Sequence, residues 1–201
     1  MKPNKAITAG IFIGIGGAVC SICSDPNIGA LLFATGLYLI CTLKADLFTG
    51  KVGYLTDNWG REYLRYLMAV WVYNLLGAIW FGVVMRCAKP ELIPIAVNTA
   101  TRRLLQSDFD TILLSVFCGV LVHCAVFIYR ETGQRLGILL CIPVFILCGF
   151  EHCVADMYMF AVAGVVTMEA VWHILLVSVC NSVGAMITNV FVCRNLSVCK
   201  K

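Results

Sequence analysis

The sequence predicts an all-α membrane protein of six transmembrane helices in two inverted three-helix repeats, with helices 2 and 5 broken. Three observations predict it. Hydrophobic residues make up 61% of the chain, charged residues only 13%, and the mean hydropathy is +0.90; a soluble domain carries about twice that charge. Six apolar segments can be read, and acidic residues interrupt two of them. The interruptions, Ala45-Asp46-Leu47-Phe48 and Ala155-Asp156-Met157-Tyr158, are alike, and the spans after them echo each other as Asn74-Leu75-Leu76-Gly77-Ala78 and Asn181-Ser182-Val183-Gly184-Ala185. Paired interruptions in matching halves are a strong sequence pointer to a transport path. The length fits one domain, residues 1–201, with repeats at about 6–86 and 111–193.

The segments are roughly 6–23, 28–50, 64–86, 111–129, 137–166 and 170–193, and an unbroken crossing needs about 20 apolar residues. Segment 1 follows Lys2 and Lys5 and continues as a plausible span, so it is read as a helix rather than a cleaved signal. Its Gly10 and Gly14 form a GxxxG that lets a neighbouring helix approach, and Gly16 and Gly17 add to that face. Segment 2 stops being apolar at Lys44 and resumes only briefly before Gly50. Segments 3, 4 and 6 are simple spans. Segment 5 is too long for one straight crossing, and Pro143, Gly149 and Glu151-His152 interrupt it. Irregular backbone at membrane depth is tolerated only where protein or a watery cavity covers it. Trp59, Trp71, Trp80 and Trp172 are read as interfacial anchors.

Basic residues set the orientation. With both termini on one side, that side holds Lys2, Lys5, Lys51, Arg61, Arg65, Arg130, Arg135, Arg194, Lys200 and Lys201; the other holds only Arg86, Lys89, Arg102 and Arg103. The positive-inside rule then places both termini in the cytoplasm of a multi-pass inner (plasma) membrane protein. Three spans per half is an odd number, so the halves are inverted and their breaks meet near the midplane.

Most of the 12 cysteines sit inside apolar runs, where a thiol acts as a small apolar group. Cys20-Ser21-Ile22-Cys23 is the one CxxC, and no second pair or histidine completes a metal site beside it. No metal or other cofactor is expected, nor is nucleic acid as a partner.

His152 is the sharpest candidate for chemistry. An ionisable side chain at that depth is costly and is a functional hypothesis by default, and imidazole titrates near neutral pH. Phe150 stands beside it in the break. Glu151, Asp156 and, in the other half, Asp46 are carboxylates that can accept bonds from the unpaired amides of half-helix ends and pin the breaks. Leu47 and Phe48 are bulky enough to close a narrow pore, Thr49 offers a hydroxyl, and Gly50 gives the backbone freedom. His123 faces either the same path or a neighbouring helix. His173, beside Trp172, reads as interfacial. Lys44 either attracts anions or snorkels toward the cytoplasm. Arg102 and Arg103, in the long outer loop with Lys89, either raise the local anion concentration or belong to a solvated loop.

These residues resemble the formate/nitrite transporter family. The most specific pieces are Ala45-Asp46-Leu47-Phe48-Thr49 and Gly149-Phe150-Glu151-His152-Cys153-Val154-Ala155-Asp156-Met157, the second similar to the family's Gly-Phe-Glu-His, two variable positions, then Ala-Asn-Met. Asn-x-x-Gly-Ala in segments 3 and 6, including Asn74 and Asn181 as supports of the breaks, completes the match. The resemblance implies an aquaporin-like six-helix protomer with its own pore, a homopentamer in membrane lipid, His152 as the pore histidine, and Leu47, Phe48 and Thr49 as the cytoplasmic-side constriction. It implies passage of small monovalent anions or their conjugate acids: formate, nitrite, hydrosulfide, or in some members lactate and acetate. Three departures stand out. Only about five residues precede Ala6, so the family's leading amphipathic helix is not expected. His123 takes the place of an asparagine, and Lys44 replaces a small residue. Asp156 for asparagine is a milder change.

The expected function is a channel or proton-coupled transporter for small anions. A neutral-solute pore resembling aquaporins is the alternative, though neither break carries Asn-Pro-Ala. A membrane thiol oxidoreductase using Cys20 and Cys23 is a further alternative, as is a receptor or scaffold.

Overall fold

Helix N-caps and helix-crossing glycines organise this chain. A computed structural model describes residues 2–194. Lys200 and Lys201, counted in the charge asymmetry, lie outside the described residues. The helices are α1 (Pro3–Ile22), α2 (Pro26–Thr42), the short α3 (Phe48–Lys51), α4 (Arg61–Ala88), α5 (Leu92–Leu104), α6 (Asp108–Thr132), α7 (Leu136–Leu147), α8 (Cys153–Ala163) and α9 (Met168–Thr188). A 3-10 stretch, Val52–Thr56, follows α3, and a π-helical turn, Asn189–Cys193, follows α9. Among the described residues there is no strand.

Local chemistry fixes the starts. Asp25 caps α2 by accepting from the Asn27 and Ile28 amides, Ser107 caps α6 through the Asp110 amide, and Thr167 caps α9 through the Ala170 amide. Gly133 and Gly164 close α6 and α8 in the left-handed conformation. Four helices (α1, α4, α6 and α9 with its π turn) are long and apolar enough to cross a membrane, and α2, α7 and α8 are shorter apolar helices.

Two helix pairs form the frame, α1 with α4 and α6 with α9. Both are built on glycines at the crossing. A Cβ at Gly10 or Gly77 would meet the backbone of the partner helix in the first pair, and one at Gly119 or Gly184 would do so in the second. Small residues are what bring helices this close without a hydrophobic driving force. Shorter elements fill the space between: α2 packs on α1 and α7, α7 also on α6, and α8 on α4, α5 and α9.

Three expectations need correction. The segment after Arg86 is not a solvated loop: Leu92–Leu104 is a helix, and it turns Arg103 inward. Pro143 does not interrupt segment 5, since it lies inside α7, and helix is lost only between Leu147 and Cys153. His173 is not interfacial but buried in the core.

Candidate functional site

Helix is also lost between Thr42 and Phe48, and the two non-helical stretches are held by one device used twice. Asn74, at zero exposure in α4, accepts from the Phe48 amide (2.8 Å) and donates to the carbonyls of Ala6 (2.7 Å) and Asp46 (2.9 Å). Asn181, equally buried in α9, accepts from the Cys153 amide (3.1 Å) and donates to the carbonyls of Ser115 (2.8 Å) and Glu151 (2.9 Å). Each amide side chain thereby satisfies groups that a helix end leaves unpaired. The bonding sets Asp46 against Glu151 and Phe48 against Cys153. The sequence echo instead matched Asp46 with Asp156, because a short acid-in-apolar motif recurs easily in so apolar a chain.

The carboxylates do a different job from the one expected of them. Asp46 pairs with Lys51 at 3.2 Å. Glu151 lies 3.2 Å from the Arg103 guanidinium, which also contacts Asp156. Side-chain amides of Asn74 and Asn181, not carboxylates, bond the backbone at the breaks. A neutral amide can both donate and accept, whereas a carboxylate only accepts.

His152 is the N-cap of α8. Its Nδ1 accepts from the Ala155 amide (3.2 Å), and its Nε2 lies 2.9 Å from Thr49 Oγ1. An accepting Nδ1 carries no proton, so in the neutral ring the proton is on Nε2 and is donated to Thr49. The Thr49 hydroxyl proton is then left for another acceptor. Both side chains are buried, as is Leu47, which precedes Thr49 by two residues. Phe145 stands 6.0 Å from the imidazole, and Phe150 stacks on Phe117 at 5.8 Å. One bond thus joins the first turn of α3 to the non-helical stretch before α8, and apolar groups flank it.

A cavity of about 340 Å³ lies beside this point, lined by Lys44, Leu47, Gly50, Lys51, Val126 and Arg130 among others. Lys44 is exposed at its edge with φ of 53°, and Phe48 lies buried in the core. Arg102 is exposed on α5. His123 is not brought to His152. Its Nε2 lies 3.1 Å from Asn189 Oδ1, and its ring lies against Tyr54 at 5.0 Å. Asn189 in turn donates to Thr56 Oγ1 (2.8 Å) and Asp57 (2.7 Å), and Arg194 donates to Asp57 (2.8 Å). The stretch after Thr49 is therefore tied to the end of α9. Asn189, Asp57 and Tyr54 carried no motif that would mark them in the sequence.

Polar groups of two interrupted apolar stretches, meeting inside a helical frame with a cation-lined cavity alongside, define a transport-type membrane fold. The chain belongs to the formate/nitrite transporter family: the Formate/nitrite transporter family model matches residues 4–194. It is 26% identical over 155 residues to the formate channel FocA of Haemophilus influenzae, covering 70% of this chain and 54% of that one. It is 23% identical over 175 residues to the nitrite transporter NirC of Escherichia coli, covering 77% and 65%. The chain thus spans little more than half the length of the first of these relatives. Among solved structures, a pentameric formate channel with formate bound shares the fold at a TM-score of 0.79 and 21% identity, covering 97% of this chain and 96% of that one. An FNT family ion channel does so at 0.81 and 21% identity, covering 92% and 85%.

Proposed function

We propose that the protein is a channel or proton-coupled transporter for small monovalent anions such as formate, nitrite or hydrosulfide, or for their conjugate acids. The solute passes Leu47, Phe48 and Thr49 and then His152. The bond of 2.9 Å between Thr49 and His152 carries this reading, since it places a polar side-chain contact between the start of α3 and the second break inside apolar walls. In this reading α2 with α3, and α7 with α8, are interrupted spans. They complete six crossings in two inverted three-helix repeats whose breaks meet near the midplane. The twin brackets of Asn74 and Asn181 support that symmetry. Both termini face the cytoplasm of an inner membrane, as the distribution of basic residues favours. A homopentamer is supported by the pentameric formate channel of the same fold.

The energetics favour a neutral passenger when the solute titrates near neutrality, and are close to balance for a carboxylic acid. A bare charge at the bilayer centre costs about 2.5–3.5 kcal/mol on insertion scales. Protonating a weak acid costs about 1.4 kcal/mol per unit between pH and its pKa, so roughly 4 kcal/mol for a carboxylic acid at pH 7. A solute titrating near neutrality costs almost nothing. Lys44, Lys51 and Arg130 concentrate anions at the cytoplasmic cavity. At the constriction, Thr49 accepts the Nε2–H of His152, and its own hydroxyl proton is the donor left for the solute.

Proteoliposome flux of formate, nitrite, acetate, lactate and hydrosulfide at two pH values tests this. The expected result is selective flux that rises as the protonated fraction of the solute rises. Swelling that ignores the identity of the solute would instead mark a neutral pore.

A further inference from the structure

Three buried ionisable groups and a partly buried arginine form a cluster apart from the Thr49–His152 bond. Arg103 comes from α5, Glu151 from the stretch before α8, Asp156 from the first turn of α8 and His173 from α9. Arg103 pairs with Glu151 at 3.2 Å and contacts Asp156 directly. His173 Nε2 stands 3.6 Å from Asp156 and 3.8 Å from Glu151. The His173 side chain is 6% exposed, its ring meets Phe160 edge-on at 5.7 Å, and its Nε2 has no hydrogen bond to another described group.

Two carboxylates and one guanidinium leave one negative charge over. An uncompensated charge away from water is costly enough that such a site takes up a proton or a cation. Glu151, Asp156 and His173 lie close enough together to share a metal ion, but the guanidinium of Arg103 already stands against both carboxylates and would repel one. His173 is the base that points at both acids. We infer that the cluster binds one proton on His173 Nε2, making a neutral set of imidazolium, guanidinium and two carboxylates, and that this proton tunes anion entry at His152.

The other charges around His173 leave this balance unchanged. Arg102 on α5 is exposed, Cys118 of α6 is buried, and Asp108 of α6 and Glu169 of α9 line the outer cavity. That cavity, about 360 Å³ in volume, reaches Arg103 and His173 and gives the proton a path from solvent. Glu151 is the chain neighbour of His152, and Arg103 stands 3.2 Å from Glu151. Loss of the proton therefore leaves a net negative charge next to the constriction. At roughly 10 Å and an effective dielectric of about 20, one such charge lowers anion occupancy about tenfold. His173 and Asp156 are thus positioning residues for the potential at the pore. The flux consequence rests on the channel reading; the proton itself does not.

The test is nuclear magnetic resonance of isotope-labelled histidine nitrogens in the full chain, in bilayers near neutral pH. One of the 3 rings is expected to read as imidazolium. That signal is expected to be lost in His173→Gln and to become a neutral ring in Asp156→Asn, where the charges balance without it. Three neutral rings in the wild type, an imidazolium that survives His173→Gln, or a stoichiometric metal ion held by the purified protein would overturn the assignment. In flux assays, His173→Gln is expected to slow anion entry about tenfold, and Asp156→Asn placed on top of it is expected to restore entry and flatten the pH profile. A double variant as slow as the single one would overturn the electrostatic coupling while leaving the channel reading untouched. If His173→Gln fails to fold, the conversion in Asp156→Asn decides the matter alone.

Discussion

Thr49 Oγ1 and His152 Nε2 are 103 residues apart in sequence and 2.9 Å apart in space. Because His152 also caps α8 through Nδ1, the ring links the start of a helix to the opposite break. A second proton on the ring would meet the Ala155 amide and cost the cap. The imidazole is therefore positioned as a hydrogen-bond donor to Thr49.

This double role can be separated. His152→Ala removes cap and donor together and is expected to cost about 1 kcal/mol of stability from the cap alone. His152→Asn keeps a good capping residue while losing the imidazole. Thermal unfolding in detergent is expected to place the Asn variant near the wild type and the Ala variant below it. Equal losses would show that capping is not what the ring contributes to stability.

Asn74 and Asn181 are expected to be among the most sensitive positions. Replacing either with Ala strands one amide and one non-helical carbonyl, each worth about 1–3 kcal/mol when left unsatisfied and dry, while the second carbonyl, in α1 or α6, lies within a helix. Either variant should lower the unfolding midpoint markedly, and by similar amounts because the bonding is the same. A midpoint unmoved by Asn74→Ala would mean that water or a neighbouring group replaces the bracket.

The glycine crossings make a steric prediction. A Cβ at Gly10 would lie 2.8 Å from the Ala78 amide nitrogen, and backbone cannot swing aside as a side chain can. Gly10→Val should force α1 off α4, displace Asn74 and yield aggregated protein on size exclusion. Gly60→Ala, where nothing stands within 4 Å, is the control expected to behave as the wild type.

Asp57 gives a pH prediction outside the membrane spans. Burial pushes its carboxyl up, but the hydrogen bonds from Asn189 and Arg194 and the Arg194 charge more than offset that and hold it below its usual 3.8. A carboxyl lowered on folding adds stability above its unfolded value, and that stability is lost as pH falls through the folded one. The tie between residues 52–57 and the end of α9 should therefore loosen only below about pH 4. Hydrogen exchange over that stretch should rise in acid, and in Asp57→Asn it should be raised at neutral pH and depend less on acid. Protection that stays constant down to strong acid would contradict the assignment.

Much of this site was legible because its signals are local. An acid in an apolar run, a Gly-Phe-Glu-His stretch and Asn-x-x-Gly-Ala each mark a position without reference to the rest of the chain. What was not legible depended on tertiary pairing. Leu92–Leu104 carries Pro94, Asn98, Thr99, Arg102 and Arg103 and is too polar to read as a span, so its helix and the inward turn of Arg103 were hidden. His173 follows Trp172, which suggested an interface. On a helix, though, adjacent residues point about 100° apart, and one faces Phe160 and Asp156 while the other is exposed. The repeat was visible, but its register at the break came only from which amides Asn74 and Asn181 hold.

The central claim is that the solute passes His152 and needs its imidazole. The most direct measurement is pH-dependent anion flux in proteoliposomes for the wild type and His152→Asn, reconstituted to equal density and equal thermal stability. The account predicts that the variant loses the pH-dependent flux. Flux in the variant that matches the wild type at every pH would contradict it.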